Sequence, residues 1–119
     1  MDPPRGISKE MRLRKRTEFL AVQDGGLKLH GRHVLGIARQ RSAPDLPGRL
    51  GLTVTKKVGI SPVRNRIRRM LREWLRTNGW VPTGWDLVLI AKDSAARIMR
   101  RDDFAADLTK ILRQVPASS

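Results

Sequence analysis

Across residues 56–76, KKVGISPVRNRIRRMLREWLR, two patterns share one stretch of chain and leave little choice of local structure. Val63, Ile67, Met70, Leu71 and Trp74 recur at three- and four-residue steps, the spacing of a single apolar stripe on a helix. The same stretch holds eight basic residues against one acid, Glu73. On the helical wheel Asn65, Arg68, Arg69, Arg72 and Arg76 fall opposite the stripe, and Arg64 and Arg66 flank it in the first turn. Ser61 is a good N-cap and Pro62 suits the first helical position, so the helix is expected to begin at Pro62. Asn78 and Gly79 close it. Such a segment buries its stripe and turns a cationic face outward.

A charge run is most often only a solvated helix face. Here the placement argues for more. Cations in a first helical turn oppose the positive end of the macrodipole, at about 0.3 to 1 kcal/mol each. Arg64 and Arg66 therefore weaken the isolated fold. A bound phosphate reverses the sign, because the free N–H groups at the helix start and both guanidiniums are expected to converge on it.

The net charge of +14 extends the argument to the whole chain, which repels itself and attracts polyanions. Nucleic acid is the expected partner. A peripheral membrane helix would direct a broad apolar face at lipid, and here that stripe is needed for the core. No stretch approaches the roughly 20 apolar residues that span a bilayer. The opening segment MDPPRGISKEMRLRKR has no apolar run and does not read as a signal peptide, so a cytoplasmic protein is expected. With 119 residues and no Cys, a single domain over residues 11–115 is expected, after a lead-in at 1–10 and before a tail at 116–119.

Other elements follow from pattern. A helix of barely two turns from Arg16 or Thr17 carries Phe19, Leu20 and Val22 and stops at Gly25, with Gly25 and Gly26 suited to a left-handed turn. Residues 27–40 read as extended, with Val34, Leu35 and Ile37 as apolar members, before a loop containing Pro44 and Pro47. Over residues 49–58, Leu50, Leu52 and Val54 alternate with Gly51, Thr53 and Thr55. One face enters the core; the small polar face either meets solvent or floors a groove. Residues 86–92 contain LVLIA, a run typical of a central strand covered on both faces. Asp93 to Arg97 suggest a helical turn, and Phe104, Leu108, Ile111, Leu112 and Val115 mark a last helix of about 15 residues with Asp102 and Asp103 at its start.

Raw material for protein-borne hydrolysis is poor. There is no Cys, and His30 and His33, three apart in one expected hairpin strand, point to opposite faces and make a poor metal pair. Asp102 and Asp103 are better explained by helix capping than as magnesium ligands. No phosphate loop of the P-loop kind occurs. Trp74 lies on the buried stripe, Trp80 and Trp85 bracket a turn, and Phe19 is the one aromatic near the basic amino-terminal segment, where it either packs or stacks on a base.

The run TKKVGISPVRNRIRRMLRE resembles the arginine-rich motif of the bacterial ribonuclease P protein family, in which a strand ends in Lys-Lys ahead of Arg-Asn-Arg. RLRKRTEFLAVQDGG and GWDLVLIAKDSAA are similar to that family's amino-terminal helix region and last strand. The resemblance spans roughly residues 11–114. It implies an α+β fold: a two-layer sandwich with a four-stranded sheet, three helices and a left-handed β-α-β crossover, where pattern alone favours the right-handed one. It further implies a protein subunit, single apart from RNA, that binds a catalytic RNA and the 5′ leader of precursor tRNA. The Mg²⁺-dependent endonucleolytic removal of that leader would be carried by the RNA, which would hold the Mg²⁺. Carried over by position, Arg64, Asn65, Arg66, Arg68, Arg69 and Arg72 are expected to contact the catalytic RNA. Phe19, Ile37, Thr53, Thr55 and Lys57 are expected to line the leader cleft, so the groove reading of the polar strand face is favoured. The chain departs from the family in offering Gln23 and Ile37 where aromatics are common, which weakens stacking. An RNA-binding module without turnover is the alternative, and a stand-alone protein nuclease lacks the side chains for the work.

Overall fold

The computed structural model describes residues 9–115. Their order is helix α1 (Arg16–Gly25), strands β1 (Leu27–His30), β2 (Val34–Gln40) and β3 (Arg49–Thr53), helix α2 (Ser61–Asn78), strand β4 (Trp85–Ala91) and helix α3 (Ala105–Gln114). Short 3₁₀ turns occupy Lys9–Met11, Asp93–Arg97 and Arg101–Phe104. The fold is α+β, with three helices about one mixed four-stranded sheet of order β1-β2-β4-β3. β2 pairs antiparallel with β1 and β4, whereas β3 and β4 run parallel. No tight turn can join a parallel pair, so the chain crosses between them through α2.

The sheet is apolar on both faces, and this positions everything else. Leu87, Leu89 and Ala91 of β4 join the core built with Ile67, Met70, Leu71, Trp74 and Leu75 of α2 and with Leu108 and Ile111 of α3. Between them Val88 faces the other way, into a second cluster with Leu13, Val22 and Ile37 beneath α1. The unbroken LVLIA run is thus the mark of a strand with packing on either side. Residues 12 and 13 run along the outer edge of β3, where Arg12 bridges Leu50 and the Leu13 N–H donates to the Leu50 carbonyl at 3.0 Å.

Several expectations need correction. Lys9 and Glu10 belong to a 3₁₀ turn rather than to a lead-in without structure, while residues 1–8 and 116–119 lie outside the described residues. α1 has ten residues, nearly three turns. Gly26 follows it at φ −90°, not in the left-handed region; glycine is needed because a Cβ there would sit 2.5 Å from Ile37 Cγ2. β3 ends at Thr53, and Lys56 and Lys57 sit in a turn closed by the Val58 N–H on the Thr55 carbonyl. His30 and His33 do not share a strand but straddle the turn between β1 and β2.

The last helix is ten residues long, and Asp102 and Asp103 occupy the preceding 3₁₀ turn without capping it. The acid that matters lies further on. Asp107, only 7 % exposed, accepts backbone N–H bonds from Arg32 (2.9 Å), His33 (2.6 Å) and Val34 (3.1 Å). One carboxylate on α3 thereby closes the β1–β2 turn, supplying acceptors that a sharp turn beside a core cannot find in its own backbone.

Candidate nucleic-acid interface

α2 starts at Ser61, not Pro62, and no side chain caps it. The Ser61 hydroxyl accepts from Arg64 Nη2 at 2.9 Å instead, and Arg64 Nε reaches the Gly59 carbonyl at 3.1 Å. Arg66 extends elsewhere, with Nη2 2.9 Å from the Ala96 carbonyl in the Asp93–Arg97 turn. The two guanidiniums therefore do not converge on one point. Helical positions two apart are separated by about 200° of rotation, which sends neighbours of this spacing to opposite flanks.

The cations of α2 form three lines. Arg64, Arg68 and Arg72 follow one another at four-residue steps on the flank nearest β3, where Arg68 donates to Asn65 Oδ1 (3.1 Å) and Arg72 Nε to the Arg68 carbonyl (3.4 Å). Asn65 and Arg69 are on the outermost line, and Arg66 holds the far flank. Among the described residues, none of Arg64, Arg66, Arg68, Arg69 and Arg72 forms an ion pair with a carboxylate. No carboxylate of the described residues offsets their charge; Arg69 is exposed, while Arg64, Arg66, Arg68 and Arg72 are half-buried and donate to nearby carbonyl, hydroxyl or amide oxygens.

Beside the first line runs a groove of about 510 Å³. Arg16, Phe19, Leu20 and Gln23 of α1 form one wall, Leu52, Thr53 and Val54 the floor, and Arg68 the opposite wall. Phe19 lies so close over β3 that a Cβ on Gly51 would come within 2.6 Å of its ring, so glycine at 51 is what lets the ring settle there half-buried. Behind the ring a smaller hollow of about 150 Å³ is bounded by Arg12, Leu50, Arg68 and Arg72.

One basic residue of this region is internally committed. Arg49 donates to both carboxylate oxygens of Asp86 at 2.8 Å and to Glu18 Oε2 at 2.8 Å. The Asp86 hydrogen bonds push the Arg49 pKa above its ordinary value. Glu18 is held below the usual carboxylate range, chiefly by the N–H groups of Lys15 and Arg14, which donate to Oε1 at 2.9 and 3.0 Å. Glu18 thus fastens the start of α1 to β3.

Phe19, Thr53 and Arg68 come together at the groove, and exposed Thr55 and Lys57 lie on the turn leading away from β3. Ile37 does not join them. It is 3 % exposed and packs below α1, because its strand face is covered by Val22 and Gly26. Sequence reasoning passes over Arg14, Arg16 and Leu20 as groove residues, although the basic run at residues 12–16 is a visible signal.

A ribonuclease P family model matches residues 7–116. The ribonuclease P protein component of Desulfovibrio desulfuricans is 35% identical over 111 residues, covering 92% of this chain and 85% of the relative. That of Gluconacetobacter diazotrophicus is 44% identical over 108 residues, covering 87% and 89%. Among solved structures, the Thermotoga maritima RNase P protein superposes with a TM-score of 0.77 at 27% identity, covering 89% of this chain and 98% of that one. The Staphylococcus aureus RNase P protein shares the fold at TM-score 0.79 and 23% identity, over 93% and 100%. With the family pattern running through nearly all of its length, on the fold those relatives adopt, this chain belongs to the ribonuclease P protein family.

Proposed function

We propose that the chain acts in the cytoplasm as the protein subunit of ribonuclease P, binding the catalytic RNA and the 5′ leader of precursor tRNA. The observation that carries this is that, among the described residues, Arg64, Arg66, Arg68, Arg69 and Arg72 have no carboxylate partner, and that one of them, Arg68, forms a wall of the groove. Arg64, Asn65, Arg66, Arg68, Arg69 and Arg72 contact the catalytic RNA through its backbone, and Phe19, Gln23, Thr53 and Arg68 receive the single-stranded leader, with Thr55 and Lys57 at the exit. Phe19 is the one aromatic in the groove, so contact there is one stacked base at most, and phosphate contacts supply most of the affinity.

The described residues include no group of three or more His, Cys, Asp or Glu placed to hold a metal ion. The Mg²⁺ that supports hydrolysis is assigned to the RNA partner. The protein neutralises phosphate charge where two RNAs meet, and so lowers the Mg²⁺ the assembly needs and favours tRNA that still carries its leader. The test is cleavage of precursor tRNA by protein alone, by catalytic RNA alone and by both, at low Mg²⁺. Stimulation only in the combined reaction is expected. Failure to stimulate would leave an RNA-binding module without turnover, and cleavage by protein alone would point to a protein nuclease.

A further inference from the structure

The groove does not end at the amino-terminal side of α1. Arg14 lines both the groove and a second hollow of about 720 Å³, and Arg12 lines that hollow and the small one behind Phe19. The second hollow is closed by Lys15 and Glu18 at the start of α1, by Arg41, and by Leu46 and Pro47 of the loop after β2. Its charges divide into two sets. Glu18 is taken up by the Arg14 and Lys15 N–H groups and by Arg49. Arg49 is also held by Asp86, and Arg41 donates to the Pro47 carbonyl at 2.7 Å, with Nε 3.7 Å from Asp86 Oδ1. Among the described residues, Arg12, Arg14 and Lys15 are left without a carboxylate partner, with exposed Glu10 the one acid on the rim that no ion pair engages. The Nε of Arg12 is buried and has no hydrogen-bond acceptor.

We infer that this hollow is a second phosphate basin on the path of the same single-stranded RNA, which leaves the Phe19 groove, crosses residues 12–14 and sets further phosphates among Arg12, Arg14 and Lys15. The inference rests on the leader-groove reading. A strand suits the site better than a small free anion does, because Arg12 and Arg14 are shared with the neighbouring hollows. Leu46 and Pro47 also offer an apolar wall to a sugar or base.

The test uses the reconstituted complex and precursor tRNAs that differ only in leader length, from about 4 to about 16 nucleotides, the span small single-strand binding domains cover. With the natural chain, affinity is expected to rise with length and then level off. In the Arg14→Ala/Lys15→Ala variant it should level off at a shorter leader, with a loss of about three- to tenfold for long leaders, the scale of two exposed charge pairings, and a smaller loss for short leaders, which meet Arg14 alone in the groove. The salt slope for long leaders should fall by about 1.4, at about 0.7 for each single-strand phosphate that is no longer neutralised. Equal loss at every length, mature tRNA included, would make these residues contacts to the catalytic RNA, and no loss at any length would make the basin idle; either result overturns the inference. If affinity of the natural complex does not depend on leader length at all, the leader-groove reading itself fails. A second measurement needs no variant: a photoreactive group on the 5′ end of a long leader should crosslink within residues 12–15 or 41–47, and crosslinks confined to other segments overturn the proposal.

Discussion

Removing the Asp107 carboxylate should unfasten the β1–β2 turn from α3 while leaving the RNA-facing side chains in place. In Asp107→Ala three backbone N–H groups lose their acceptor at once. The Arg32 N–H belongs to an exposed residue and finds water, but Val34 is fully buried and His33 half-buried. Each orphaned buried donor costs about 1 to 3 kcal/mol, so the loss from the two should total about 2 to 6 kcal/mol. That is a large share of the roughly 5 to 15 kcal/mol typical of a domain. Asp107→Asn keeps the shape, yet its single carbonyl oxygen accepts at most two of the three bonds and its NH₂ faces a donor, so an intermediate loss of about 1 to 3 kcal/mol is expected. Urea unfolding followed by tryptophan fluorescence reads both, with the midpoint falling and the slope unchanged. The reasoning is refuted if Asp107→Ala loses less than about 1 kcal/mol, or if Asn is worse than Ala.

Other outcomes separate the two faces of α2. Ile67→Ala, at a fully buried position, should lower stability by about 2 to 5 kcal/mol in thermal or urea unfolding, whereas Arg69→Ala should weaken catalytic-RNA binding with an unchanged melt. If roughly 5 to 8 phosphates are engaged, the logarithm of RNA affinity should fall against the logarithm of salt with a slope of about −4 to −7, and a flat titration contradicts the electrostatic account. Glu18 has a depressed pKa, so its stabilisation is complete above the ordinary glutamate value near 4.5 and is lost as pH falls from there through the lower folded value. Unfolding midpoints measured down this acid range should drop less steeply in Glu18→Gln than in the natural chain. Phe19→Ala should reduce the preference for leader-bearing over mature tRNA in competition binding while leaving assembly with the catalytic RNA intact.

What can be read from sequence is whatever depends on neighbours along the chain. The stripe from Ile67 to Trp74 and the Gly79 stop depend on residues close in sequence, and the structure keeps them; at β3 it keeps the strand without a clean alternation, since Leu50 and Gly51 are both buried. What cannot be read depends on residues far apart. Asp107 looks like one acid among several because its partners lie more than seventy positions earlier. Ile37 matches a cleft position by resemblance, but which side of its strand α1 covers is decided by tertiary packing at Gly26. Arg64 and Arg66 look like one cluster along the chain, but a two-residue step on a helix sets them on opposite flanks, where the carbonyls of Gly59 and Ala96 hold them apart.

The commitment of Arg49 has a consequence for anyone who maps this surface by replacing basic residues in turn. Its guanidinium ties Glu18 of α1 to Asp86 of β4, so an alanine there takes a partner from both acids and loosens the helix that carries Phe19. Binding would decline, and the position would be scored as a point of touch with the nucleic acid although it is a girder behind the wall. A companion replacement of Glu18 and Asp86 by their amides tells the two apart: recovered binding without the cation marks a scaffold, and continued loss marks a true contact.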